Sequence, residues 1–305
     1  MMSDALARRP WRSVDVPDDV LAVPTMLSVQ ELGLLYSLAR DYARGDAAIV
    51  DAGCFLGGSS AALLAGLRDR PEPWRGPPVV SYDLFEVEQY TVEQYFSGED
   101  ALEVGQSFRP VYDRMVSGFS EPHVVREGDI VSLGWDGGPI EVLFIDVLKT
   151  WDVNDAVLRD FFPHVIPGRT VLVHQDYGWG EVPWIYITVE LMRESLRWIE
   201  SLPYGTHVFA VERPIPEHVL NTKVKDLPPD EKLALMDRAI ANNVGEGRAM
   251  AEIAKGVLVG LLGKPLDGRR MIDDVVARTS FDLVEKCGTR ASERLGRWSK
   301  NIQRG

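Results

Sequence analysis

The chain has 305 residues, 45% of them hydrophobic and 26% charged, which is the balance of a globular protein with room for one large domain and an appendage. A formal net charge of -13 argues against sequence-independent binding to nucleic acid or to an anionic membrane. Two cysteines, Cys54 and Cys287, make no disulfide framework and fit a reducing, cytoplasmic compartment.

Residues 1–25, with Arg8, Arg9, Pro10, Pro17, Asp18, Asp19 and Pro24, read as a lightly ordered arm without the apolar core of a secretory signal. Ser28-Val29-Gln30-Glu31 then spells a capping box, and Leu32, Leu35, Tyr36 and Ala39 continue one face of a helix that ends near Arg44-Gly45. Residues 1–45 are therefore an arm followed by a helix.

From 46 to 213 strands and helices alternate. Strands are predicted over 47–51, 78–84, 123–126, 139–146 and 169–174, and near-continuous apolar runs such as Val142-Leu143-Phe144-Ile145 are what a parallel sheet covered on both faces requires. Helices are predicted at 59–67, across Val157–Phe162, and at 185–197. Two further strands, 198–202 and 207–212, flank Pro203-Tyr204-Gly205-Thr206 as an antiparallel hairpin. The expected fold is α/β: a doubly wound, mostly parallel, Rossmann-like sheet closed by that hairpin. Beyond Arg213-Pro214-Ile215-Pro216 strand signals stop. Three apolar stripes (Leu233, Met236, Ile240; Ile253, Val257, Leu261; Ile272, Val276, Leu283) make 214–305 a helical appendage, packing on the sheet domain, on a second copy of the chain, or both. From Lys264 onward 10 basic residues outnumber 6 acidic ones, so the acidity lies in the earlier part.

The most informative stretch is Ile49-Val50-Asp51-Ala52-Gly53-Cys54-Phe55-Leu56-Gly57-Gly58-Ser59-Ser60: an apolar strand, an acid, a glycine turn, and a small-residue helix opening at serines able to cap it. Its glycines fall as G-x-x-x-G-G, not in the G-x-G-x-x-G of dinucleotide-binding folds. All five parallel strands also end at or just before an aspartate: Asp51, Asp83, Asp129, Asp146 and Asp176. Strand ends of a parallel sheet share one edge, where ligands bind, although aspartate is also an ordinary helix cap.

These segments resemble class I S-adenosylmethionine (SAM) methyltransferases. The resemblance implies that Gly53, Gly57 and Ser59 lie under the methionine part of SAM, with Asp51 near its amino group. It further implies that Asp83 accepts from the ribose hydroxyls and that Asp129-Ile130 reads the adenine. The segments Phe144-Ile145-Asp146-Val147-Leu148-Lys149 and Val173-His174-Gln175-Asp176-Tyr177 resemble the metal-binding regions of catechol-type O-methyltransferases and of macrocin and cephamycin-pathway relatives. By that resemblance Asp146, Asp176 and Gln175 are the metal set. Gln175 stands where many relatives have a carboxylate, which weakens the implied Mg²⁺ site.

An alcohol must lose its proton to attack the methyl carbon, through a metal or a positioned base. Lys149, His174 and Asp176 are the candidates for that work; a salt bridge to Asp152 is the plain reading of Lys149, and a satisfied buried ring that of His174. Tyr177, Trp179 and Trp184 follow the fifth strand as expected acceptor contacts, and Tyr90, Tyr95 and Phe96 fall in an 84–122 segment long enough to be a lid. The expected activity is methyl transfer from SAM to a hydroxyl of a small molecule, a sugar or specialised metabolite, with no nucleic-acid or membrane partner. The alternatives are a non-catalytic SAM-binding or assembly protein on this fold and an NAD-dependent reductase or epimerase.

Overall fold

A computed structural model describes Leu6 and residues 9–302; the start of the expected arm, residues 1–5, 7 and 8, lies outside the described residues. The chain divides into two compact units, Met1–Val147 with His164–Val173 and Val208–Glu212, and Leu148–Pro163 with His174–His207 and Arg213–Gly305.

Within the expected arm, Pro10–Arg12 and Asp18–Leu21 are short helical turns, and Trp11, Val20 and Val23 are buried. Those apolar side chains anchor a stretch whose prolines and charges suggested little order. Helix α1 (Val29–Ser37) opens with the predicted capping box: Glu31 N–H donates to Ser28 Oγ, and Ser28 N–H to the Glu31 carboxylate at 2.6 Å. It ends earlier than expected and continues as a wider π turn over Leu38–Tyr42.

The strands are β1 (Ala48–Ala52), β2 (Val79–Asp83), β3 (His123–Glu127), β4 (Ile140–Ile145), β5 (Val171–His174), β6 (Leu196–Ser201) and β7 (His207–Val211). They form one sheet in the order β3-β2-β1-β4-β5-β7-β6. The pairs β1–β2, β1–β4 and β2–β3 are parallel. β7 runs against β5: Val211 N–H meets Thr170 O at the start of β5, while Thr206 reaches Gln175 O beyond its end. Leu202 N–H to Thr206 O and Arg213 N–H to Ser195 O close the β6–β7 hairpin. Every residue of β1 and β4 is buried, as their uninterrupted apolar sequences require.

Between the strands lie α2 (Gly58–Arg68), α3 (Arg109–Val116), α4 (Trp151–Asp160) and α5 (Pro183–Leu191). α5 stops short of the predicted Arg197 because Leu196 already begins β6. The appendage holds α6 (Pro229–Asn242), α7 (Gly245–Leu261), α8 (Pro265–Arg278) and α9 (Asp282–Ile302). The third apolar stripe thus belongs to two helices, Ile272 and Val276 on α8 and Leu283 on α9, separated by Thr279-Ser280-Phe281. Ile253, Val257, Ile272, Val275, Val284 and Leu295 share a core of their own within the second unit.

Candidate functional site

The turn after β1 is built on glycine. Gly53 sits at φ +101°, and a Cβ there would stand 2.6 Å from the Asp146 carbonyl oxygen. Gly57 sits at φ +99°, where a Cβ would come within 2.8 Å of Val116. Side chains are excluded by conformation and by space, so the turn presents bare backbone. Gly57 is the N-cap of α2, and no side chain caps the helix. The serines expected to cap it turn inward instead. Ser60 Oγ donates to Asp51 Oδ2 at 2.6 Å and Ser59 Oγ at 3.1 Å.

Asp51 is fully buried. Ser81, its register partner on β2, gives Oδ2 a third hydroxyl at 3.2 Å, and Ser81 and Tyr112 both meet His123 Nε2. The sequence reading missed Tyr112 and His123; the visible signal was the Asp51–Ser81 pairing of adjacent strands. Burial pushes the Asp51 carboxyl up to about 6 against the pull of the three serines, and pushes His123 down to about 4. Asp51 lies in the core at the end of β1 with no exposed surface.

Asp83, at the end of β2, is half-buried. Its Oδ2 accepts Phe55 N–H at 2.9 Å and its Oδ1 accepts Phe85 N–H at 2.8 Å. Both donors hold left-handed backbone, φ 44° for Phe55 and 55° for Phe85, an unfavourable conformation for a residue with a Cβ. The carboxylate therefore clasps the glycine turn to the loop after β2, and each oxygen keeps a lone pair. Burial raises its pKa, partly countered by these backbone donors.

Asp129 is exposed and caps the single-turn helix Ile130–Leu133 by accepting Val131 N–H at 2.9 Å, while Ile130 is buried. The expected lid segment folds back on itself: Phe108 N–H donates to Phe85 O, and Val87 and Gln106 pair above it. Its apolar side chains pack on the turn, with Phe55 at ring-centroid distances of 5.0 Å from Tyr95 and 5.5 Å from Phe108. Phe96 is buried in this cluster, and Tyr90 is 65% exposed.

In the second unit Lys149 forms an ion pair with Asp176. Asp152, the partner expected for it, pairs with Lys225 at 2.9 Å instead, because Lys225 is brought beside α4 by Val224 and Lys225 N–H groups bonding Asp155. An ammonium donating to a carboxylate is not an available proton acceptor, which removes Lys149 as a base. His174 is 2% exposed, its ring 6.4 Å from Tyr177, and burial lowers it to about 4. It is a core ring, not a group on a cleft wall. Tyr177 and Trp184 are buried as well. The Tyr177 ring lies 4.5 Å from that of His207, inclined by 51°, and its hydroxyl accepts from Asn243, while Trp184 Nε1 donates to Leu148 O at 2.7 Å. Trp179 packs against the appendage core under Arg290. These aromatic faces are spent on packing rather than displayed on a rim.

Among the described residues no group of three His, Cys, Asp or Glu side chains is placed to hold a metal ion. Asp176 is ion-paired with Lys149, and Gln175 brings no charge. Among the described residues no helix is long and apolar enough to cross a membrane.

No protein-family model and no curated protein matches the sequence. Solved structures similar to it include a TDP-rhamnose 3'-O-methyltransferase of calicheamicin biosynthesis, at 15% identity over 68% of this chain and 93% of that one, TM-score 0.41. The cofactor-bound Rv0187 from MTB is similar at 19% identity over 69% and 89%, TM-score 0.42. So is a Haemonchus contortus phosphoethanolamine N-methyltransferase bound to phosphoethanolamine and S-adenosylhomocysteine, at 13% identity over 80% and 57%, TM-score 0.41. With TM-scores below 0.5 these likenesses carry no weight for function, which is read from the chain's own residues.

Proposed function

We propose that the chain is a SAM-dependent O-methyltransferase acting on a hydroxyl of a small molecule, a sugar or other specialised metabolite. The observation that carries this reading is the sheet order, with β7 lying antiparallel between β5 and β6. The dinucleotide-binding order is 3-2-1-4-5-6, in which no further strand lies between the fifth and the sixth. The glycine spacing after β1 argues the same way.

SAM supplies an electrophilic methyl group on a positively charged sulfur. In this reading the bare backbone at Gly53 and Gly57 admits its methionine part, and the remaining lone pairs of Asp83 receive the ribose hydroxyls. Asp129 and Ile130 flank the adenine. The acceptor hydroxyl gives up its proton as it attacks, and among the expected candidates Asp176, held by Lys149, is the carboxylate able to take it. No step runs through Mg²⁺.

Isothermal titration with SAM and with NAD tests the reading, followed by S-adenosylhomocysteine release across sugar and phenol acceptors. Heat with SAM, none with NAD, and release dependent on a hydroxyl acceptor are expected. Binding of NAD in place of SAM overturns it; SAM binding without release from any acceptor favours a non-catalytic role.

A further inference from the structure

Asp51 is a buried carboxylate for which methyl transfer has no chemical use. Its Oδ2 takes three serine hydroxyls, and its Oδ1 has no hydrogen-bond partner. The groups facing it from each packed element are Ser59 and Ser60 on α2, Ser81 on β2, Tyr112 on α3, His123 on β3 and the Cys54 thiol of the turn. The charged group that acts on it most is Asp83, of like sign. Among the described residues no lysine or arginine donates to it. A fully buried carboxylate without a counter-charge is costly as an anion.

The glycine turn begins two residues after Asp51. A cation seated on it brings the positive charge that Asp51 lacks, in surroundings that screen poorly. We infer that binding of the cationic methyl donor at the Gly53–Gly57 turn is coupled to release of one proton from the buried carboxyl of Asp51. The inference rests on the reading of this turn as the SAM site. In the coupled step the Asp51 O–H bond breaks, its proton passes to buffer, and the carboxylate left behind balances the sulfonium.

Without ligand the carboxyl titrates at about 6. Below that value affinity falls with pH, by about fivefold between pH 6 and pH 5 for one linked proton. His123, lowered to about 4 by burial and by Arg109 against the opposing Asp113, stays neutral over this range. Over this range the α-amino group of SAM is protonated and its carboxyl ionised, since even peptide termini titrate at about 7.7–8.0 and 3.3–3.7.

Titration calorimetry of the full chain with SAM, in buffers of differing ionisation enthalpy, reads the proton directly. The expected release is about half a proton per SAM at pH 6, falling to about a tenth at pH 7. Ser60→Ala removes the shortest hydroxyl donor and should move the release to higher pH; Asp51→Asn should abolish it. If Asp51→Asn does not fold, the buffer dependence of the unmodified protein decides alone. Intact SAM binding whose heat is independent of buffer at pH 6 overturns the coupling. Absence of SAM binding at any pH overturns the site reading instead.

Discussion

Removing the Asp83 carboxylate should damage the protein twice, and the two injuries can be measured apart. Asp83 holds Phe55 N–H and Phe85 N–H at 2.9 and 2.8 Å, and both residues carry left-handed backbone. Hydrogen bonds to a charged group are worth roughly 1.5–3 kcal/mol each, so two give about 3–6 kcal/mol gross. Part of this is offset because the carboxylate is itself half-buried and its pKa is raised. A net loss of about 2–4 kcal/mol is expected for Asp83→Ala by urea denaturation. Asp83→Asn keeps one acceptor and turns an amide toward the other N–H, so it should lose at least half as much. A raised carboxyl favours folding most in its neutral form. That contribution is complete below the unfolded-state pKa and is lost as pH rises through the folded value, so the cost of Asp83→Ala should shrink over the same interval. SAM affinity of the folded fraction should drop on the order of a hundredfold as well, since the ribose hydroxyls lose their acceptor. An unchanged unfolding midpoint in Asp83→Ala would refute the clasp, and unchanged SAM affinity would remove Asp83 from the site.

His174 and His207, held neutral by burial at about 4 and about 3, stabilise the fold above the unfolded-state value near 6.5 and lose that contribution as pH falls toward their folded values. Together they should steepen the acid limb of stability by up to about 2.7 kcal/mol per pH unit; His207→Gln should halve it, and an unchanged slope in urea titrations from pH 6.5 to 4.5 tells against the assignment. Lys149→Met frees Asp176, and turnover should fall by about 10²–10⁴ with SAM affinity held within twofold; equal losses in both would make the pair structural. Chelator should leave turnover unchanged, and loss of activity restored by Mg²⁺ would reinstate a metal. Gly268→Ala ordinarily gains about 1 kcal/mol inside a helix. Here the added Cβ would collide with Gly256 O of α7, so thermal melting should show a loss of about 1–3 kcal/mol; a raised melting temperature would show that α7 and α8 can part at no cost.

What the sequence made legible is what periodicity and turn chemistry encode locally. The capping box at Ser28 and Glu31, the apolar runs of β1 and β4, the Pro203–Thr206 hairpin and the glycine turn all depend on neighbours a few residues away. Ile272, Val276 and Leu283 show the limit. They satisfy a helical period across Thr279-Ser280-Phe281, yet the chain breaks there and α9 returns along α8, with Ile272 and Val284 in a common core. A period records which side chains are apolar, and one or two helices can supply it equally well.

The strand-end aspartates carry the same point into the site. In sequence they are alike, an acid closing an apolar run. In the folded chain Asp51 is sealed under three hydroxyls, Asp83 clasps two strained N–H groups, Asp129 caps a turn of helix and Asp176 answers Lys149. Each role is set by a partner brought in from elsewhere: Ser81 by strand register, Phe55 by the glycine turn, Lys149 from the segment after β4. The sheet edge explains why acids gather. It does not say which of them stays open to a ligand, because desolvation and donor count, both products of tertiary packing, decide that. Asp83 and Asp176 are the two whose partners orient a carboxylate without sealing it, whereas Asp51 is enclosed. In the proposed reading that leaves Asp83 for the ribose hydroxyls of SAM, and Asp51 for charge balance at a distance.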